Sequence, residues 1–136
     1  TMEIAGRWSV LPAVFDAARA ALLAIPHTKV ASCHLSHSYS DGACLYFTFA
    51  ALPPPDEREA TYIALWDAGQ QAIFAAGGNL SHHHGVGINR ARFMPEALGP
   101  AFAVLQSVKD ALDPHGILNP GKLGLSTPFG STPWPV

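Results

Sequence analysis

The sequence predicts an α+β fold in which an antiparallel sheet carries helices on one face. Three observations predict it. Two segments, residues 10–25 and the stretch after Pro53-Pro54-Pro55, space apolar residues at helical intervals. Between them, two runs rich in alternating and β-compatible residues flank Ser40-Asp41-Gly42, a hairpin connection. The 136 residues, 49% hydrophobic and 13% charged, are enough to bury one modest core.

In chain order, "VLPAVFDAARAALLAI" puts Val14, Ala17, Ala18, Ala21, Leu22 and Ile25 on one helical face, and Pro26 ends the pattern. No strand is predicted ahead of this helix. "TKVASCHLSHSY" and "ACLYFTFAAL" then form the hairpin, with Gly42 expected in the left-handed conformation of a three-residue connection. Leu45, Phe47 and Phe49 share one face of the second strand, and Cys44, Tyr46 and Thr48 the other. A three-residue connection aligns Ala31, Cys33 and Leu35 with the Phe47 face and leaves Ser32, His34 and Ser36 beside Tyr46; a two-residue one reverses this. The hydrophobic pattern favours the first register, which leaves a polar sheet face in need of water, a ligand or another domain.

The second helix carries Asp56, Glu57 and Glu59 near its positive end and closes on Gly77-Gly78. Its stripe of Ile63, Trp66, Gln70, Ile73 and Phe74 is expected on the Phe47 face, with Trp66 in the core. A further helix is predicted from about Pro95 to Leu112, followed by the turn-rich "PHGILNPGKLGL". Residues 1–125 read as one body and residues 126–136 as an irregular, proline-rich tail. A lone hairpin is marginal, so further strands or a partner surface, and hence further chain, are expected.

The formal charge of −2, the pI near 6.3 and the scattered eight Lys and Arg offer no broad basic field, which counts against nucleic acid as a partner. No run of about 18 apolar residues and no signal-like N-terminus is visible, so a cytoplasmic location is expected. Cys33 and Cys44 lack C-x-x-C spacing and are expected as free, buried thiols.

Chemistry gathers in "GGNLSHHHGVG", residues 77–87. In an extended segment His82, His83 and His84 would point alternately, and no H-E-x-x-H or Cys/His pairing accompanies them, so no metal site is expected. Gly77, Gly78, Gly85 and Gly87 allow sharp bends and close approach to a ligand, and imidazoles move protons near neutrality. Tyr46 is a second candidate proton carrier if a neighbour lowers a phenol pKa that is ordinarily ~10. The plainer readings are a solvated histidine turn and an ordinary strand tyrosine.

"CLYFTF", "GGNLSHHHGVGINR" and "LDPHGILNPGKL", in this order, resemble the C-terminal part of the FAD-linked oxidases of the vanillyl-alcohol-oxidase superfamily, most closely the alkylglycerone-phosphate synthases. "EIAGRW" is similar to the segment ahead of that part's first helix, and the resemblance covers all but the last ten or so residues. Related D-lactate and glycolate dehydrogenases usually carry Glu-His-Gly where this chain has His83-His84-Gly85, which favours the synthase branch.

The resemblance implies catalytic roles for Tyr46, His82, His83 and His84, a cofactor-facing role for Gly85, Gly87 and Asn119, and a substrate-phosphate role for Arg90 and His34. It implies FAD that assists an exchange rather than a net oxidation: a fatty alcohol replaces the acyl group of an acylated dihydroxyacetone phosphate, giving an ether-lipid precursor. The chain shows no Gly-rich pyrophosphate-binding segment, so the implied partner is an N-terminal FAD-binding domain of the same polypeptide. Alone, it is expected neither to hold FAD tightly nor to turn over. The alternatives are the cap domain of an FAD-dependent 2-hydroxy-acid dehydrogenase or alcohol oxidase, and a catalytically silent module that forms a homodimer or binds metal.

Overall fold

A computed structural model describes residues 1–130. They form two compact units, one spanning Thr1–His84 and the other starting at Gly85. Residues 126–130 of the expected tail contain no helix or strand, and residues 131–136 lie outside the described residues.

The first unit is built on a three-stranded antiparallel sheet of β1 (Met2–Arg7), β2 (Thr28–Ser38) and β3 (Gly42–Ala51), in the order β1-β3-β2. Helices α1 (Leu11–Ala24) and α2 (Arg58–Ala75) complete it. Strand β1 corrects the expectation that nothing precedes α1. Met2, Glu3 and Ile4 are all buried, so this strand has no apolar-in, polar-out alternation to read. It also supplies the third strand that a stable sheet needs.

The register is the one the hydrophobic pattern favours: Cys33 pairs with Phe47, His34 with Tyr46 and Leu35 with Leu45. On the other side of β3, Met2 pairs with Phe47, Glu3 with Tyr46 and Ile4 with Leu45. The connection differs from expectation, because Gly42 is not left-handed and already belongs to β3. It is required by closeness instead, since a Cβ there would lie 2.1 Å from the Gly6 carbonyl oxygen. The left-handed residue at this end is His37 (φ 53°), in the irregularity between Ser36 and Ser38.

Leu11, Val14, Ala18 and Leu22 of α1 join Met2, Ile4, Leu45 and Phe47 in one core cluster. Phe15 stacks on Phe47 with ring centroids 6.4 Å apart. Full burial of side chains such as Phe47 and Leu22 stabilises by about 1.5–3 kcal/mol each, and Phe47→Ala would cost about 3–5 kcal/mol. The chain leaves α1 at Ile25, whose extended backbone (ψ 130°) is what a residue before proline adopts. The buried stripe of α2 is Thr61, Leu65, Trp66, Gly69, Gln70 and Ile73, rotated from the expected one, so Ile63 and Phe74 are only half-buried. Trp66 is in the core, as expected.

Cys33 and Cys44 are free. They sit on opposite faces of the sheet, Cys33 half-buried on the helix side and Cys44 buried on the other.

The second unit contains α3 (Met94–Leu98) and α4 (Ala101–Leu112), so the single helix expected over this stretch is broken at Gly99-Pro100. Gly99 is left-handed (φ 51°), and proline after it lacks the amide a continuing helix would use. Below α4, the Asp113 carboxylate accepts the amides of Ile117 (3.1 Å) and Leu118 (2.8 Å) and is paired with Lys109. No residue of α4 is buried; Val104, Val108 and Leu112 form an exposed apolar face. No helix among the described residues is long and apolar enough to cross a membrane.

Candidate functional site

The sheet face opposite the helices carries a row of three residues, one per strand: Glu3, Tyr46 and His34. The segment after α2 lies over the Glu3 end of this row. Asn79 clamps it to β1, since its side-chain Oδ1 accepts the Ala5 amide (2.7 Å) and its own amide donates to the Ala5 carbonyl (3.0 Å).

Glu3 is fully buried, and its carboxylate is wrapped by the histidine segment. Oε1 accepts the Ser81 hydroxyl at 2.6 Å and the His84 amide at 3.2 Å, while Oε2 accepts the amides of His83, at 3.2 Å, and His82. Consecutive amides turned onto one anion form a nest of the kind that holds carboxylates and phosphates. Burial pushes the Glu3 carboxyl up, but the bonds from Ser81 and the three amides outweigh it, and the net shift is below the ordinary value. Glu3 opens "EIAGRW", a segment to which no site role was given, and the signal that could have singled it out is an acid between Met2 and Ile4 in an apolar stretch.

This wrapping overturns the picture of three histidines pointing alternately from an extended segment. Because the backbone curls around one carboxylate, the rings stay together: His82 and His83 have centroids 5.2 Å apart, and His83 and His84 4.5 Å. Tyr46, half-buried on β3, stacks on His34 at 5.0 Å. It also meets His84 edge-on at 5.2 Å and lies 6.2 Å from His83. Its hydroxyl donates to Thr1 Oγ1 at 3.4 Å.

The far end of the cluster uses residues that the sequence did not single out for a site. Tyr39 OH lies 2.9 Å from His82 Nε2, and His37 packs against both His82 (5.1 Å) and His83 (4.7 Å). Cys44 Sγ is 4.0 Å from His83 Nδ1. Beneath the rings, Glu3 oxygens lie 3.9 Å from His83 Nδ1 and 3.8 Å from His84 Nδ1. The result is a wall of five imidazoles and two phenols over one fixed negative charge, able to accept, donate and pass protons.

The remaining candidates belong to the second unit. Gly85 (φ 78°) and Gly87 (φ 57°) are left-handed, with nothing within 4 Å of where a Cβ would stand. Asn119 is left-handed too (φ 46°), in the turn where its carbonyl accepts the Lys122 amide at 3.3 Å. Arg90 is buried and donates from Nη1 to the Gly85 carbonyl at 3.1 Å.

A family model for FAD linked oxidases, C-terminal domain, matches residues 1–123. The alkyldihydroxyacetonephosphate synthase of Dictyostelium discoideum is 42% identical over 91 residues, covering 66% of this chain and 15% of the relative. That of Trypanosoma brucei brucei is 35% identical over 97 residues, covering 71% and 16%. The D-2-hydroxyglutarate dehydrogenase of Pseudomonas putida is 47% identical over 83 residues, covering 58% and 8%. The chain thus spans about a sixth of the length of the two synthases.

Proposed function

The chain belongs to the C-terminal domain family of FAD-linked oxidases, and on that footing we propose that it forms the proton-handling, substrate-facing wall of a flavin enzyme of the alkylglycerone-phosphate synthase type. The observation that carries this reading is the contact of Tyr46 with His34, His83 and His84 above the loop that Glu3 holds. The residues present fit one side of a flavin site. In the first unit, rings that stack suit the approach of a flat heterocycle. A pyrophosphate cradle is the part a separate FAD-binding domain supplies. FAD, when bound, contributes the electrophilic ring that none of these side chains can replace.

The chain's own residues hold and move protons. His83 and His84, backed by the Glu3 charge, take a proton from the substrate carbon and give one back there once the ether bond has formed, while Tyr46 gives a proton to the departing carboxylate and recovers one from the entering alcohol. His82 keeps the relay in contact with Tyr39. His34 and Arg90 are proposed for the substrate phosphate, and Gly85, Gly87 and Asn119 for the cofactor side. The substrate class is an acylated dihydroxyacetone phosphate together with a long-chain alcohol.

The test is ether-bond formation by this domain joined to its FAD-binding domain. Tyr46→Phe and His83→Ala are each expected to lower the rate severely, and normal rates in both would sink the proton-transfer roles. A second reading, oxidation of a 2-hydroxy acid, is favoured by the D-2-hydroxyglutarate dehydrogenase match. Bleaching of the flavin by such an acid without acyl-for-alkyl exchange would select it.

A further inference from the structure

Helix α4 is turned inside out. Its polar side chains are committed to its own unit: Gln106 Oε1 accepts the Ser126 amide at 2.8 Å, Gln106 Nε2 donates to Asp110 at 2.7 Å, and Lys109 Nζ donates to the Leu118 carbonyl while pairing with Asp113. At about 3.6 residues per turn, Val104, Val108 and Leu112 fall on the opposite side of the helix. All three are exposed, Leu112 the most at 78%. A helix on the surface of a closed domain shows the reverse arrangement, apolar side in and polar side out.

The turn that follows adds two fixed anchors. Leu118 is held through both its amide, which donates to Asp113 Oδ2 at 2.8 Å, and its carbonyl, which accepts from Lys109, yet its side chain is exposed. The Ile117 amide is held at 3.1 Å by the other Asp113 oxygen, and its side chain is exposed too. Aliphatic side chains that project from a pinned backbone lose less freedom on being covered than those on a mobile one. We infer that Val104, Val108, Leu112, Ile117 and Leu118 form the surface on which the FAD-binding domain of the same enzyme docks.

Three observations choose that occupant. The family is the C-terminal domain of FAD-linked oxidases, and the two synthases carry about five-sixths of their length outside the stretch that this chain matches. Asn119, which follows Leu118 directly, is proposed for the cofactor side together with Gly85 and Gly87 of the same unit, so the body that carries the cofactor is the one that meets Leu118. A lipid surface favours free cations beside the apolar face, whereas the one lysine of α4 is engaged by Asp113 and the Leu118 carbonyl.

This docking rests on the cofactor-side reading of Asn119 and not on which reaction the enzyme catalyses, so normal ether-bond formation by Tyr46→Phe leaves it standing. Asn119→Gly with undisturbed FAD binding would remove the cofactor-side reading, and hydrogen exchange in α4 would still measure the docking itself.

The test compares the 136-residue chain with the FAD-loaded enzyme in which this domain is joined to its FAD-binding domain. Amides of α4 should exchange about tenfold more slowly, or slower still, in the enzyme. Val104→Glu and Leu112→Lys put charges at the helix ends that suit them, so the melting temperature of the isolated chain should not change. In the enzyme each should speed FAD release by about tenfold or more. Equal exchange in chain and enzyme, FAD release unchanged in both variants, or a lowered melting temperature of the isolated chain would each overturn the docking. So would a Leu112→Lys enzyme that keeps its FAD but loses dimerisation or binding to phosphatidylserine vesicles, which would assign the face to a second copy or to a lipid surface.

Discussion

Glu3 Oε1 and Ser81 Oγ lie 2.6 Å apart, joining β1 to a loop 78 residues further along the chain. With the three histidine amides on the same carboxylate, this contact turns the loop into an ordered wall. Glu3→Gln presents an amide donor to groups that all donate, and is expected to cost about 1–3 kcal/mol. Urea unfolding gives the stability change, and hydrogen exchange should quicken at the amides of His82, His83 and His84 while β3 amides stay protected. Unchanged exchange at those three amides would refute the anchoring role.

Tyr46→Phe separates chemistry from stability. The hydroxyl makes one long bond, to Thr1 at 3.4 Å, so its loss should cost about 0.5 kcal/mol or less. In the FAD-loaded enzyme the same change should slow turnover by about a hundredfold or more. Matched thermal melts and rate measurements check both halves.

Asp113 predicts an acid-sensitive turn. The Lys109 ammonium holds its carboxyl below the ordinary range, and the amides of Leu118 and Ile117 assist against partial burial. Because the folded value is lowered, the stabilisation is present above the unfolded value of about 3.9 and is lost as pH falls through the folded one. Amide shifts of Ile117 and Leu118 should titrate at that lower pH, and Asp113→Asn should remove the transition.

The thiols should be sluggish. Burial is the main reason that Cys33 is pushed up to about 11, and burial followed by the Glu3 charge raises Cys44. At about pH 8 the folded, metal-free protein should react with a disulfide reagent at Cys33 about a hundredfold more slowly than a peptide cysteine does. Prompt labelling without unfolding would contradict the burial argument.

Gly42→Ala tests the β1–β3 contact, because the new Cβ would come within 2.1 Å of the Gly6 carbonyl oxygen. A loss of about 1–3 kcal/mol is expected from denaturant midpoints.

Local signals were legible in the sequence. The spacing of Val14, Ala18 and Leu22, the stop at Pro26 and the alternation around Tyr46 lead correctly to α1 and to the hairpin register. Tyr46 and the three histidines were legible as a set, and the structure brings Tyr46 into contact with His83 and His84. Strand β1 was not legible, because burial on both faces erases alternation, and neither was its partner loop, because Glu3 acts on residues some eighty positions away. The turn at Gly99-Pro100 was readable locally but was overridden by the apolar spacing on either side of it. His37 and Cys44 join the cluster through strand pairing and loop curvature, which no spacing rule encodes.

The pairing of Met2 with Phe47 has a kinetic consequence. Strands β2 and β3 can zip from their own turn, whereas β1 must close a loop of some forty residues onto the far edge of β3, and the histidine segment can settle only after β1 has delivered Glu3. In the order of folding, the chemically equipped edge of this sheet therefore forms last, and mutations at Glu3 or Ser81 should speed unfolding far more than they slow folding.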